Sequence, residues 1–269
     1  MSSLERHYSA KDIEMRILTG LRMAGLDPEQ RLTPAQLAPL DHFHTGGLRA
    51  SEELLALLQI APDARVLDIG AGLAGAARLI ADSVGCQVDC VELSADYCCG
   101  AALLNRLTGL EDRIRIHEGC ARELPFEDAT FDVVWMQNVG MNIADKGALY
   151  RDIARVLKRG GKYGFQEMAA GPVACSHFPL PWASEEKDSC LVSAQEMRAL
   201  LLKQGFVEEL LEDTSDAVLA SPAASSTPAP AGQLGLSVFV DNLALKAANA
   251  RRSLEEGQVR LLRGIFRKR

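Results

Sequence analysis

The tightest constraint on this chain is the stretch Val66-Leu67-Asp68-Ile69-Gly70-Ala71-Gly72-Leu73-Ala74-Gly75. An apolar, β-type run takes in an acid, breaks into glycines and leads into an apolar-periodic segment over 73–84. That order is strand, tight turn, helix. Glycine has no Cβ, so backbone N–H groups in such a turn can approach a bound molecule closely. The spacing Gly70, Gly72, Gly75 alone also fits a nicotinamide-dinucleotide domain. Its context is narrower. Asp68 stands two residues before the first glycine, and a second acid, Glu92, closes the next strand-like run, 87–93. A carboxylate at a second strand end can accept both hydroxyls of a ribose. The pair reads as a nucleoside site at the carboxyl edge of a parallel sheet.

Around this turn the periodicity alternates. Strands are expected at 65–69, 87–93, 113–118, 131–137 and 161–168, with helices at 73–84, 95–108 and 146–157. Strands joined by helices mean a parallel sheet with crossover connections. Upstream, residues 1–32 are polar and weakly helical, with Leu18, Leu21 and Leu26 as packing residues, and 48–58 is a leucine-rich helix. Downstream, a helix at 193–204 precedes a strand at 206–212. Residues 213–233 are rich in Pro, Ala and Ser and read as a mobile connection. A last strand is expected at 234–240. A final helix should run from Leu243 to Phe266, bent at Gly257.

With 48% apolar and 24% charged residues, the 269-residue chain has the composition of a globular protein able to bury an α/β core. A net charge of −7 gives no reason to expect nucleic-acid binding. The charge is uneven: residues 251–269 carry +5 and the remainder −12, which fits a solvated helix face or a basic cap for an anionic substrate. Seven cysteines, an odd number without paired C-x-x-C spacing, read as reduced thiols and core fillers. The expectations are a cytoplasmic location, no metal and no membrane span.

The motifs resemble those of the class I S-adenosylmethionine-dependent methyltransferases. The segment 66–72 looks like their first motif and Glu92 like the acid ending their second strand. Leu124-Pro125-Phe126 with Phe131-Asp132-Val133-Val134-Trp135 looks like their fourth motif, and Arg155-Val156-Leu157-Lys158-Arg159-Gly160-Gly161 like the segment before their fifth strand. The resemblance implies a Rossmann-like, seven-stranded, mostly parallel sheet with an antiparallel last strand and helices on both faces. It further implies N- and C-terminal helical lids: a cap over 1–47, a core over 48–241 and a C-terminal helix over 242–269. The implied cofactor is S-adenosyl-L-methionine, with S-adenosyl-L-homocysteine as product. Asp68, Gly70, Gly72, Glu92 and Leu93 would hold it, Leu93 packing on the adenine. Relatives often bind the adenine amine through a Gly-Asp-Ala triplet. Here the triplet is Gly119-Cys120-Ala121, and because cysteine is a poor acceptor, backbone groups at Ala121 would take that contact.

Three further segments, 41–47, 137–143 and 177–183, resemble small-molecule N-methyltransferases acting on glycine, sarcosine or dimethylglycine. This second resemblance implies methyl transfer to a small polar metabolite, an amine nitrogen first. A thioether, a hydroxyl or arsenite is the alternative acceptor, and a non-catalytic cofactor-binding module is the remote one. His44, Gln137 and His177 are the candidate catalytic residues, Gln137 also facing the transferred methyl. His42, His44, Asn142, His177, Phe178, Trp182 and Arg251 are the candidate acceptor contacts. Phe178 and Trp182 could equally be core, and Asn142 could instead cap the following helix. The protein would be a monomer or a homodimer.

Overall fold

The computed structural model describes residues 10–220, 234–235 and 241–269. Its helices are α1 (Ile13–Met23), α2 (Pro34–Asp41), α3 (Gly47–Leu58), α4 (Gly75–Val84), α5 (Ala95–Thr108), α6 (Lys146–Val156), α7 (Ala194–Lys203), α8 (Ser215–Ala220) and α9 (Leu243–Glu255). Its strands are β1 (Arg65–Ile69), β2 (Gln87–Glu92), β3 (Ile114–Glu118), β4 (Phe131–Gln137), β5 (Leu157–Ala170), β6 (Phe206–Asp213) and β7 (Val259–Lys268). They make a seven-stranded sheet in the order β3-β2-β1-β4-β5-β7-β6. The chain divides into two compact units, residues 1–120 with 227–243, and 121–226 with 244–269.

In the first unit β1, β2 and β3 run parallel, with Asp68 opposite Cys90 and Glu92 opposite Glu118. Burial is nearly continuous in β1 and β2, as expected of strands covered on both faces, while in the edge strand β3 only Ile114 is buried. The helix α1 buries Ile13, Ile17 and Leu21 in a cluster with Leu37, Leu40, Leu73, Tyr97 and Leu104, against which Leu18 and Leu26 pack. Gly100 on α5 makes that contact close: a Cβ there would meet Leu73 at 2.7 Å and Ile17 at 3.1 Å. The start of α2 is written in its sequence. Thr33 and Gln36 form a reciprocal capping box ahead of Pro34.

In the second unit β4 and β5 are parallel, while β7 lies antiparallel to both β5 and β6. Two expectations are corrected here. The helix expected to reach Phe266 ends at Glu255, Gly257 turns the chain at φ +68°, and residues 259–268 form β7. The apolar residues of this stretch suit either period. Tertiary pairing decides for strand, because Arg263 and Arg267 reach Glu212 and Glu209 on β6 and Gly264 accepts the ring of Phe165. The connection expected over 213–233 also contains structure, with Asp213 ending β6 and α8 following, while 221–233 lies outside the described residues. Of the strand expected at 234–240, only Leu234 and Gly235 are described, and neither is in a strand.

Candidate functional site

The glycine turn of the first unit is built to expose backbone. Gly70 and Gly72 both adopt left-handed φ values, +67° and +55°, and a Cβ on Gly72 would meet no protein atom within 4 Å. The Gly70 N–H donates to Val91 O at 2.7 Å, which ties the turn to β2. The Gly72 N–H donates to Glu92 Oε2, and the Ser94 N–H to Glu92 Oε1, both at 2.9 Å. A carboxylate has about four acceptor positions. Each Glu92 oxygen therefore keeps capacity for one further donor, the arrangement a pair of vicinal hydroxyls needs. Burial raises the Glu92 pKa, against the pull of the Ser94, Gly72 and Leu93 N–H groups. Leu93 beside it is 36% exposed. Gly119 donates its N–H to Glu92 O, placing Cys120 and its half-buried thiol one residue beyond.

Asp68 is the electrostatic centre of this unit. It is 3% exposed, and its Oδ2 is buried without a hydrogen-bond donor. Burial first, and the negative charge of Glu92 second, push its pKa to about 8. A cation brought beside such a buried acid favours its ionised form.

Behind the turn lies a polar network in which the sequence showed only His42 and His44. Arg78, fully buried on α4, donates to Asn105 Oδ1 and Asp41 Oδ2 at 2.7 Å each and to Leu73 O. Asp41 Oδ1 lies 3.7 Å from His42 Nε2. His42 Nδ1 is 3.2 Å from Ser51 Oγ, which is 3.0 Å from His44 Nε2. With Asp41 ionised, one proton arrangement satisfies the chain: His44 Nε2–H donates to Ser51, Ser51 O–H donates to His42, and His42 Nε2–H faces Asp41. Desolvation lowers the His42 pKa to about 4, helped by Arg78, and the His44 pKa to about 3, helped by His42. Both rings are therefore neutral at neutral pH. Ser51 is wholly buried, so this Ser–His–Asp sequence of contacts is a structural network rather than a nucleophile. Arg78 and Asp41 were missed because a mid-helix arginine normally reads as surface.

The second unit holds Ala121 and the remaining candidates. Gln137 is buried at the end of β4, its Oε1 accepting from Trp135 Nε1 at 3.0 Å. Asn142 donates to Trp182 O at 2.7 Å, and the cap of α6 is Asp145, which accepts from Ala148 N–H; Asn142 is not the cap. Trp182 is 3% exposed in a cluster with Met141, Met168, Leu180 and Leu261, and Phe178 packs against it. The Trp182 indole N–H donates to Ser189 Oγ. His177 Nε2 sits 2.7 Å from Glu256 Oε2 and 3.2 Å from Gln258 Nε2. Arg251 donates to Glu255 one turn along α9.

Inside β5 is an acid that the sequence did not single out. Glu167 is 1% exposed and accepts from the N–H groups of Val139 and Gly140 at 2.9–3.1 Å. Burial raises its pKa to about 7, against those N–H groups and Lys146.

Comparison with known proteins agrees with these features. Residues 67–165 match a family model described as a methyltransferase domain. The glycine/sarcosine/dimethylglycine N-methyltransferase of Actinopolyspora halophila is 34% identical over 136 residues, 51% of this chain and 24% of that protein. The sarcosine/dimethylglycine N-methyltransferase of Aphanothece halophytica is 37% identical over 103 residues, 38% of this chain and 37% of that protein. The chain thus spans well under half the length of these curated relatives. Among solved structures, a putative sarcosine dimethylglycine methyltransferase from Galdieria sulphuraria aligns with a TM-score of 0.63 at 22% identity, covering 82% of this chain and 85% of that one. A phosphoethanolamine N-methyltransferase from Haemonchus contortus aligns at 0.74 and 18% identity, covering 100% of this chain and 61% of that one. The [4+2]-cyclase SpnF aligns at 0.68 and 20% identity over 95% of this chain and 94% of its own. These likenesses are likenesses of fold.

Proposed function

We propose that this chain, which carries a methyltransferase domain over residues 67–165, transfers a methyl group from S-adenosyl-L-methionine to the nitrogen of a small amine. The observation that supports it most is the pairing of Glu92, whose two oxygens each hold one backbone N–H with capacity to spare, with the donor-free buried oxygen of Asp68. These residues fit a nucleoside whose tail bears a cation. Glu92 takes the ribose hydroxyls, Gly70 and Gly72 admit the tail, Leu93 covers the base, and the 120–121 backbone reads the adenine edge. The cofactor, when bound, supplies a methyl on a sulfonium. The chain's own residues then hold the acceptor in line and exclude water. Gln137, Asn142, His177, Phe178, Trp182 and Arg251 are the acceptor contacts in this reading. His42 and His44, neutral and engaged with Ser51, hold the segment 41–47 rather than keep a proton taken from the acceptor.

Amine relatives by sequence favour nitrogen over a thioether, hydroxyl or arsenite. Among the described residues no group of three or more metal-binding side chains exists, which gives arsenite no evident thiol cage. None of their helices is long and apolar enough to cross a membrane, and seven free thiols suit a cytoplasmic setting. A second reading is set by the cyclase of the same fold, since fold does not dictate chemistry. One experiment separates the readings: S-adenosyl-L-homocysteine release in the presence of sarcosine, dimethylglycine, phosphoethanolamine and a thioether panel, alongside calorimetric titration of the cofactor. Release with an amine supports the proposal. Tight binding without release from any acceptor sinks it in favour of a non-methylating protein.

A further inference from the structure

The loop between β4 and α6 is held by two buried charges of opposite sign, neither of which the function above uses. From one side Glu167 collects its N–H groups: Val139 and Gly140 donate to Oε1 at 2.9 and 3.1 Å, and Gly140 donates to Oε2 at 3.0 Å. Gly140 eases this approach, since a Cβ there would stand 3.1 Å from Glu167 Oε2, tighter than ordinary contact. Lys146 collects its carbonyls: Nζ donates to Gly140 O at 2.8 Å, Ile143 O at 2.5 Å and Cys190 O at 2.6 Å. Cys190 returns the contact by donating its N–H to Met141 O at 2.7 Å. Glu167 is 1% and Lys146 5% exposed. Burying two charges is costly, and replacing such a pair by apolar groups is often neutral or stabilising. Two buried charges bonded to the backbone of one short loop therefore specify its conformation rather than add stability. The same loop carries Asn142, whose side chain is fixed on Trp182 O, and begins at Gln137. It leaves the carboxyl end of a parallel strand, where open α/β sheets bind their ligands.

We propose that Glu167 and Lys146 are positioning residues that set the 138–145 backbone and thereby the alignment of the methyl acceptor against Gln137 and Asn142. The proposal rests on the amine-methylation reading for its kinetic part. It is distinct from the cofactor site, so the two can be scored apart.

The test uses the full chain and the variants Glu167→Gln and Lys146→Met. Gln keeps the shape but turns one acceptor into a donor facing an N–H, and Met removes the ammonium that the three carbonyls share. With an acceptor that the wild type methylates, each variant should lose at least tenfold in kcat, while its Kd for S-adenosyl-L-homocysteine stays within twofold. Amide hydrogen exchange should rise at least tenfold at residues 139–143, with the β1–β3 strands unchanged. A merely structural role would lower Tm and leave kcat per folded molecule within twofold, and that result overturns the proposal. If no amine is methylated by the wild type, the functional reading fails by itself. The exchange measurement then decides: local loosening of the loop supports the clamp, and unchanged protection overturns it. Should Glu167→Gln not fold, Glu167→Asp keeps the charge but retracts it, and the same two readouts apply.

Discussion

At the residue scale the proposed cofactor site reduces to a few acceptors and exposed N–H groups. Glu92→Ala removes a charged acceptor, and hydrogen bonds to charged groups are worth about 1.5–3 kcal/mol. Calorimetry should therefore show affinity for S-adenosyl-L-homocysteine falling at least tenfold with the thermal midpoint nearly unchanged; an unchanged Kd would remove Glu92 from the site. The histidines make a different prediction. Burial holds His42 neutral down to about 4 and His44 down to about 3, so neither titrates between pH 6 and 9. Neither histidine should therefore put an inflection into the methylation rate over that range, and His44→Gln should lower turnover by a similar factor at every pH in it. A rate inflection near 6.5 that disappears in His44→Gln would contradict this.

At the element scale the first unit depends on a close approach of α4 to the end of α2. A Cβ on Gly75 would lie 2.6 Å from Asp41 O and 2.8 Å from Asp41 Oδ1. Backbone cannot yield as a side-chain tip does, so Gly75→Ala must displace one helix, and such overpacking costs about 1–3 kcal/mol. Urea unfolding should show a loss in that range. Arg78→Met should cost more, since it leaves Asp41 buried without its cation, and breaking a buried pair costs about 3–5 kcal/mol. The two helices explain why the segment Asp41–His44 sits in one conformation. A carboxylate, a guanidinium, two imidazoles and a hydroxyl are linked there in one chain of contacts.

At the scale of the whole molecule, buried acids govern the response to pH. The pKa of Asp68 is raised from 3.8 to about 8, that of Glu167 from 4.5 to about 7, and that of Asp41 from 3.8 to about 6, in each case chiefly by burial. An acid whose folded value is raised stabilises the fold below its unfolded value and loses that contribution as pH rises through the folded one. His42 and His44 have lowered values, so their contribution is present above about 6.5 and is lost as pH falls toward 4 and 3. The two trends oppose each other between about 4 and 6.5. Above 6.5 only the acids remain, and stability should decline from pH 6.5 to 8. Urea unfolding across that interval should show the decline, and Asp68→Asn should flatten most of its upper half. A wild type equally stable at both ends would mean that Asp68 is already ionised in the native state.

What the sequence determined by itself is what local chemistry determines. The turn after β1, the acid closing β2, the five-residue β1 and the helix Ala95–Thr108 ending at Gly109 are legible because glycine, capping residues and apolar period act over a few positions. The parallel part of the sheet followed from the alternation of those elements; the family resemblance added an antiparallel last strand, but at 234–240 rather than at 259–268 where it lies. Tertiary structure decided the rest. Residues 259–268 could satisfy a helical or a strand period, and only pairing with β5 and β6, through Gly264 under Phe165 and arginines against Glu209 and Glu212, selects the strand. Arg78, Asp41, Lys146 and Glu167 look in sequence like surface charges. Their burial depends on partners that are distant along the chain, such as Asp41 for Arg78 and Cys190 for Lys146, and no local pattern encodes a charge whose counterpart is brought to it only by folding.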